Sequence, residues 1–218
     1  MITSPGRAGP TPGQTTGVPM ADCRGLGRRE RLLLMTVGAT PVSLVGASTF
    51  GVVDLKTLAV GVLLPGLLAL AVLLTVSRRS RRLTAEAVIA GVVATFVYDL
   101  FRWAFLAFGW MDRDPIPHIG TALGLSPGWV FGYLWRFVGN GGGLALFYYA
   151  FGLRGVVAGV AFGLVVCEGL IAVLVYSPHG QQTLFPLVPA TYVVAIVGHV
   201  IYGAVLGAIH LTRSRRRY

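Results

Sequence analysis

The feature that most constrains this chain is a run of 21 residues without a single charged side chain, TLAVGVLLPGLLALAVLLTVS at positions 57–77. A helix of about 20 predominantly apolar residues is long enough to cross the hydrocarbon core of a bilayer. Over the whole chain 55% of the residues are hydrophobic and 12% are charged, and that charged fraction is about half of what a soluble globular domain carries. The sequence therefore predicts an all-α integral membrane protein.

Five further stretches have a similar length and composition, and together they predict a polytopic transmembrane bundle of six helices. The predicted spans lie near residues 32–53, 57–77, 85–110, 128–151, 155–176 and 187–211. The first span is the weakest, because Pro41 and several small polar residues interrupt it. If that span were a signal peptide cleaved near Ala47, five helices would remain.

The basic residues favour six helices over five. Most of the net charge of +10 sits in arginine clusters beside the predicted spans, at 24–31, 78–82 and 213–217. Six helices with a cytoplasmic N-terminus place all three clusters inside, as the positive-inside rule requires, whereas five helices place the first cluster outside. We therefore predict a multi-pass protein of the bacterial inner (plasma) membrane with both termini cytoplasmic. Clusters in such positions contact lipid headgroups, so the bilayer and not a nucleic acid is the predicted partner.

Two tails flank the predicted bundle, which occupies residues 31–212. Residues 1–30 are rich in Pro, Gly and Thr and hold almost no large apolar side chain. They are predicted to be a disordered cytoplasmic segment, because they cannot bury a core. Met20 is an alternative to Met1 as the start, and residues 213–218 are predicted to be a basic cytoplasmic tail.

Ionisable side chains inside the spans mark candidate functional positions, because a charge in hydrocarbon is costly. A helical rise of about 1.5 Å per residue places five of them at a similar depth, in the outer half to the middle of the membrane. Together with Asn140 they form the predicted intramembrane polar cluster, which consists of Asp99, Arg102, Arg136, Asn140, Glu168 and His199. Its two acids and two arginines balance formally, which leaves His199 as the titratable member.

The polar cluster has two interpretations at this stage. Charges that pair across helices would hold the bundle together. Alternatively, the cluster would line a polar cavity, open to the outside, that binds or relays a proton, an ion or a small solute. The adjoining segment GNGGG at 139–143 also has two interpretations. It would be either a broken helix that exposes backbone groups to a cavity or a site of close packing against a bulky neighbour.

Small residues at four-residue spacing predict close helix contacts. These glycine stripes are Gly155, Gly159, Gly163 and Cys167, then Gly139 and Gly143, then Gly203 and Gly207. They would pack either within one chain or between chains. A homo-oligomer, or an accessory or assembly subunit of a larger membrane complex, is therefore the second functional hypothesis.

The predicted outer loops contain weak metal-ligand candidates, namely Asp112, Asp114, His118 and His179. Imidazoles and carboxylates suit zinc or copper, and a membrane redox or metal-handling protein is the third hypothesis. A bis-histidine haem would need a partner chain, because His199 and His210 lie on one predicted helix. The sequence contains no catalytic fingerprint, so we predict no catalytic residue and no cofactor and expect a non-enzymatic protein, with haem or metal as the alternative.

Three segments carry a resemblance to a known family: AEAVIAGVVAT at 85–95, LRGVVAGVAFGLV at 153–165 and GHVIYGAVLGAI at 198–209. In their order the chain resembles, over residues 84–211, a family of small bacterial and archaeal membrane proteins of the YagU-like type. The resemblance implies a polytopic unit of four helices. It implies no activity and no catalytic residue.

Overall fold

The computed structural model describes the backbone of residues 25–215 and the side chains of residues 25–212. This part of the chain folds into eight helices and contains no strand. The helices are α1 (Arg28–Ser48), α2 (Leu55–Val76), α3 (Arg78–Ala107), α4 (Ile116–Ala122), α5 (residues 128–151), α6 (Gly155–Tyr176), α7 (Gly180–Thr183) and α8 (Pro189–Arg215). The predicted all-α bundle is confirmed.

Five of these helices, α1, α2, α3, α6 and α8, are long and apolar enough to cross a membrane. These helices identify the chain as a membrane protein. The remaining predicted span, near 128–151, corresponds to α5, which is helical from end to end but is not among the five. Its middle part, Trp135–Gly142, is a π-helix that contains Arg136 and Asn140. That α5 also crosses the membrane stays a prediction.

The helix ends differ from the predicted span ends where capping residues extend a helix beyond its apolar part. α3 begins at Arg78, before the predicted span, and the Ser77 hydroxyl caps it by accepting a hydrogen bond of 3.2 Å from the Ser80 amide. α1 begins at Arg28, so the end of the predicted disordered segment is helical, and α8 continues to Arg215. The predictions for residues 1–24 and 216–218 lie outside the described residues.

The glycine stripes are used inside the chain. A Cβ added to Gly159 would meet the backbone of Gly203, and one added to Gly163 would meet that of His199, so α6 and α8 pack backbone to backbone. Gly143 of α5 lies equally close to Gly38 of α1. Such approach gains van der Waals contact in an environment where lipid offers no hydrophobic drive for helix association. Because these glycines are used in contacts within the chain, they do not supply the contact surface that the oligomer and subunit hypotheses assumed.

The long helices that follow one another along the chain run in opposite directions, which gathers the predicted inner ends at one end of the bundle. There Arg31 donates hydrogen bonds to the carbonyls of Ala150 (3.1 Å) and Phe151 (3.2 Å). The Ser80 hydroxyl at the start of α3 lies 3.4 Å from a carboxylate oxygen of Glu30. We call this the arginine end, because it carries the clusters at 28–31 and 78–82. The end with the longer connections is called the loop end.

Candidate functional site

Asp99 lies at the centre of a buried group of charges and has 0% of its surface exposed. Its Oδ1 accepts hydrogen bonds from Arg102 Nε at 3.1 Å and from Arg136 Nη2 at 2.8 Å. Arg102 follows Asp99 by three residues and therefore shares its face of α3, whereas Arg136 comes from the π-helical part of α5. Buried charges are tolerable only when they are paired in this way. The structure thus brings together three of the predicted cluster residues.

A fourth charge comes from the connection between α3 and α4. Arg102 Nη1 donates to Asp114 Oδ1 at 2.7 Å, and the Tyr133 hydroxyl donates to Asp114 Oδ2 at 2.6 Å. Asp114 Oδ1 also accepts from the Ile116 amide at 3.0 Å. Asp99, Arg102, Asp114 and Arg136 form what we call the ion-pair network, and their formal charges cancel. Asp114 was predicted as a weak metal ligand, and its observed role is that of an arginine partner.

Glu168 is not part of this group. Its side chain is exposed on α6, while the neighbouring Cys167 is buried with Gly163 against the bundle. Successive residues on a helix point about 100° apart, since 3.6 residues make one turn, and at this level of α6 Cys167 is the residue that faces inward. The depth inferred for Glu168 did not determine its direction. The second acid of the observed group is Asp114 and not the predicted Glu168.

The metal-ligand candidates of the loops are not brought together. Asp112, His118 and His179 are each exposed, and Asp114 is engaged by Arg102. Within residues 25–212 no group of three or more His, Cys, Asp or Glu side chains is placed to hold a metal ion. The loop residues therefore supply no argument for a metal centre.

His199 joins the network through an aromatic ring. The guanidinium carbon of Arg136 lies 4.5 Å from the centroid of the Tyr98 ring, a cation–π distance. The centroid of that ring lies 5.4 Å from that of His199, which is only 8% exposed. His199 Nδ1 is 2.7 Å from the Ala195 carbonyl oxygen. Because a carbonyl only accepts, Nδ1 carries the ring proton and the neutral ring keeps Nε2 as an acceptor.

The glycines of 139–143 pack closely, and the helix is not broken there. A Cβ on Gly141 would meet the Thr95 side chain, and one on Gly142 would lie 3.3 Å from Val88 Cγ1. The chain stays helical as a π-helix, a form that recurs at functional sites. Its wider turn leaves the Gly141 carbonyl oxygen to accept a hydrogen bond of 2.7 Å from the Tyr202 hydroxyl. Close packing is thus the interpretation that the structure supports.

A cavity of about 550 Å³ lies beside the ion-pair network, bordered by α1, α5, α6 and α8. Most of the side chains around it are apolar. One side, which we call the polar wall, consists of Tyr98, Arg102, Arg136, Asn140 and His199. Within the described residues, Asn140 Oδ1 is buried and has no hydrogen-bond partner. Ligand sites are commonly apolar clefts of 300–1,000 Å³ with a few convergent polar groups, and this cavity has that character rather than that of the polar cavity predicted from sequence.

Sequence reasoning missed Tyr98 and Trp103 as members of this site. Trp103 Nε1 donates to the Tyr133 hydroxyl at 3.1 Å, so two aromatic residues support the network from outside. Tyr133 could have been found, because it shares a helix face with Arg136 at a spacing of three. For Tyr98 the one available signal was its position directly before Asp99.

Compared with models of protein families, with curated proteins and with solved structures, the chain matches none of them. The resemblance over residues 84–211 therefore stays a prediction from its three motifs. What this chain does has to be inferred from the cavity and the ion-pair network.

Proposed function

We propose that this chain is a non-enzymatic, multi-pass membrane protein that binds a small, uncharged solute in the cavity between α1, α5, α6 and α8. The observation that carries the proposal is the cavity itself, about 550 Å³ in volume and mostly apolar. Its polar wall includes an amide oxygen of Asn140 that has no partner within the described residues and the buried imidazole of His199. A mostly apolar site with a few fixed polar groups favours a solute of mixed character.

The charges favour a neutral solute over an ion. Asp99 and Asp114 are both paired with Arg102, and Asp99 also binds Arg136. Each carboxylate is therefore ion-paired with an arginine and each arginine with a carboxylate, Asp99 through its Oδ1 alone, since its Oδ2 has no partner within the described residues. An added ion at the polar wall would be a buried charge without compensation, which is strongly unfavourable. The ion-pair network is then a scaffold that holds α3, α5 and the following connection in place around the cavity.

The orientation is part of the same proposal. The arginine end would face the cytoplasm of a bacterial cell, with α5 as the sixth membrane span and both termini inside. The positive-inside rule supports this arrangement, because Arg28 and Arg79 lie in the first turns of α1 and α3, and Arg154 directly precedes α6, which begins at the same end. The cavity then lies nearer the outer side of the membrane.

A matched pair of glycine variants tests solute binding without knowledge of the solute. Gly169 lines the cavity, and a Cβ added there would meet no atom of the described chain within 4 Å. A helical side chain leans over the preceding turn, so Phe at position 169 would extend over Val165 and Val166 into the cavity. Gly61 on α2 is equally free of neighbours within the described residues and does not line the cavity. It is the control.

Wild type, Gly169→Phe and Gly61→Phe would be purified in mild detergent and extracted with organic solvent for mass spectrometry. We expect a compound that accompanies wild type and Gly61→Phe in a fixed ratio to protein. Gly169→Phe should retain about a tenth of it or less, because the ring would occupy part of the cavity. A tenfold loss of affinity corresponds to about 1.4 kcal/mol. Equal retention by all three proteins, or no accompanying compound in wild type, would refute the proposal.

A further inference from the structure

We infer that the solute reaches the cavity sideways from the bilayer, between α1 and α6, and that it is a neutral amphiphile with a hydroxyl or amide hydrogen-bond donor. This inference rests on the proposed function, because it specifies the solute and its route. Three observations support it: the ends of the cavity are closed, one side of its lining is exposed, and a polar atom in its wall has no partner within the described residues.

At the loop end the cavity is covered. The Thr49 carbonyl at the end of α1 accepts hydrogen bonds from the Ser177 hydroxyl (2.6 Å) and the His179 amide (3.1 Å), which tie α1 to the end of α6. Met111, Ile116 and Leu184 are buried and line the cavity on this side. Apolar side chains of the connections therefore lie between the cavity and the aqueous surface.

Towards the arginine end an aromatic pair forms the floor. The rings of Phe147 on α5 and Phe162 on α6 are stacked with centroids 6.0 Å apart and planes at 15°. Both residues line the cavity. A straight aqueous path along the bundle axis would have to pass this pair, so neither end of the cavity offers water an unobstructed entrance.

The exposed part of the lining lies on the facing sides of α1 and α6. We call it the lateral window, formed by Ser43, Ala47, Val165 and Gly169, all of them exposed. Phe50, an apolar side chain just beyond the end of α1, is the other exposed residue of the lining. Val165 is 69% exposed. The two helices approach each other near the loop end, where a Cβ on Gly46 would lie 3.2 Å from Val173 Cγ2. Because α1 and α6 are both apolar and long enough to cross a membrane, the lateral window faces acyl chains.

The polar wall lies on the other helices, α3, α5 and α8, and offers acceptors. Asn140 Oδ1 has no partner within the described residues, and His199 keeps Nε2 as an acceptor because Nδ1 faces the Ala195 carbonyl. A buried acceptor without a partner is unfavourable, so a bound molecule that donates hydrogen bonds is favoured. Since the charges of the ion-pair network cancel, the polar group should be neutral. An amphiphile would then keep its apolar part towards the window.

Spin labels test both the route and the donor. A cysteine would replace Ser43 in the lateral window, or Val60 on α2 as the control, in a chain with Cys23→Ser and Cys167→Ser. Val60 is 58% exposed, lies five residues from the loop end of its helix as Ser43 does, and does not line the cavity. After labelling and reconstitution into phosphatidylcholine vesicles, power-saturation EPR compares collisions with oxygen, which concentrates in the bilayer, and with a water-soluble nickel chelate.

We expect both labels to collide readily with oxygen and poorly with the nickel chelate. Adding 1-dodecanol should slow the motion of the label at 43 and leave the label at 60 unchanged. Dodecyl methyl ether has a similar chain but no donor, and it should have little effect at 43. Asn140→Leu should remove most of the dodecanol effect.

Each other outcome overturns a distinct statement. Ready collision of the label at 43 with the nickel chelate means that water reaches the window, which overturns the lateral route and leaves solute binding standing. Equal effects of the alcohol and the ether overturn the donor requirement. No effect of either probe, with the Gly169→Phe and Gly61→Phe difference still present, overturns the class of amphiphile alone. If that difference is also absent, the proposed function fails.

Discussion

Replacing Asp99 by Asn should be among the most destabilising single changes in this chain, because it removes the carboxylate between two buried arginines. The change is nearly isosteric. Arg102 would keep its second carboxylate, Asp114, at 2.7 Å. Within the described residues Arg136 forms its ion pair with Asp99 alone and would become a buried charge without compensation. Breaking a buried ion pair by removing one partner costs about 3–5 kcal/mol, which is the loss in unfolding free energy that we expect.

A second substitution separates the charge effect from the loss of packing. In the double variant Asp99→Asn with Arg136→Gln the remaining pair, Arg102 and Asp114, is neutral by itself. We therefore expect the double variant to recover about half or more of the stability lost in the single variant, since most of that loss is the uncompensated charge. Asp112→Asn is the control, because that acid is exposed in the connection between α3 and α4 and should contribute within about 0.5 kcal/mol.

Unfolding free energies would be measured by titrating the purified, refoldable protein from mild detergent into sodium dodecyl sulfate and following its helical circular dichroism. The reasoning is refuted if Asp99→Asn is no more harmful than Asp112→Asn. It is equally refuted if the double variant is less stable than Asp99→Asn, since the charge of Arg136 would then not be the cause of the loss.

Three further changes test other parts of the structure. Tyr133→Phe removes a hydroxyl that donates at 2.6 Å to the loop carboxylate of the ion-pair network, so the same titration should show a loss of about 1–3 kcal/mol, and an unchanged midpoint would contradict this. Gly159→Ala places a methyl group against the Gly203 backbone and should lower the free energy of unfolding by about 1–3 kcal/mol through overpacking. Gly169→Ala is its control: the added methyl group meets no described atom within 4 Å, so the change should be neutral or stabilising by up to about 1 kcal/mol. Equal effects of the two changes would exclude the close α6–α8 contact as the cause. A reporter enzyme fused after Tyr218 should be active only in its cytoplasmic form, and activity outside the cell would overturn the proposed topology.

Much of the site was accessible from sequence because burial depth in a membrane is a one-dimensional quantity. Asp99, Arg102 and Arg136 were predicted to share a depth from the helical rise alone, and they do form ion pairs. Glu168 was placed by the same count, yet its side chain is exposed. Its direction depends on which face of α6 packs against α8, and the close approach of Gly159 and Gly163 to that helix turns Glu168 outward.

Asp114 is the opposite case to Glu168, because it was not predicted to belong to the polar cluster and yet lies in the ion-pair network. A carboxylate in a polar connection between helices is normally solvated, and nothing in its local sequence marks it as the partner of a buried arginine. Its position depends on the connection folding back until Asp114 reaches Arg102 and Tyr133. That contact joins residues 12 and 19 positions apart along the chain. No periodicity of a single element encodes it.

By itself the sequence determined that this chain is an all-helical membrane protein, where its apolar helices lie, and which ionisable residues lie within them. These properties follow from transfer free energy and from the fixed rise of a helix, and both are read one segment at a time. Only the tertiary structure decided which charges face one another, which carboxylate completes the ion-pair network, and that a cavity with a lateral window remains between α1 and α6. Those features depend on the rotation and tilt of each helix, which are set by backbone contacts between glycines far apart in the chain.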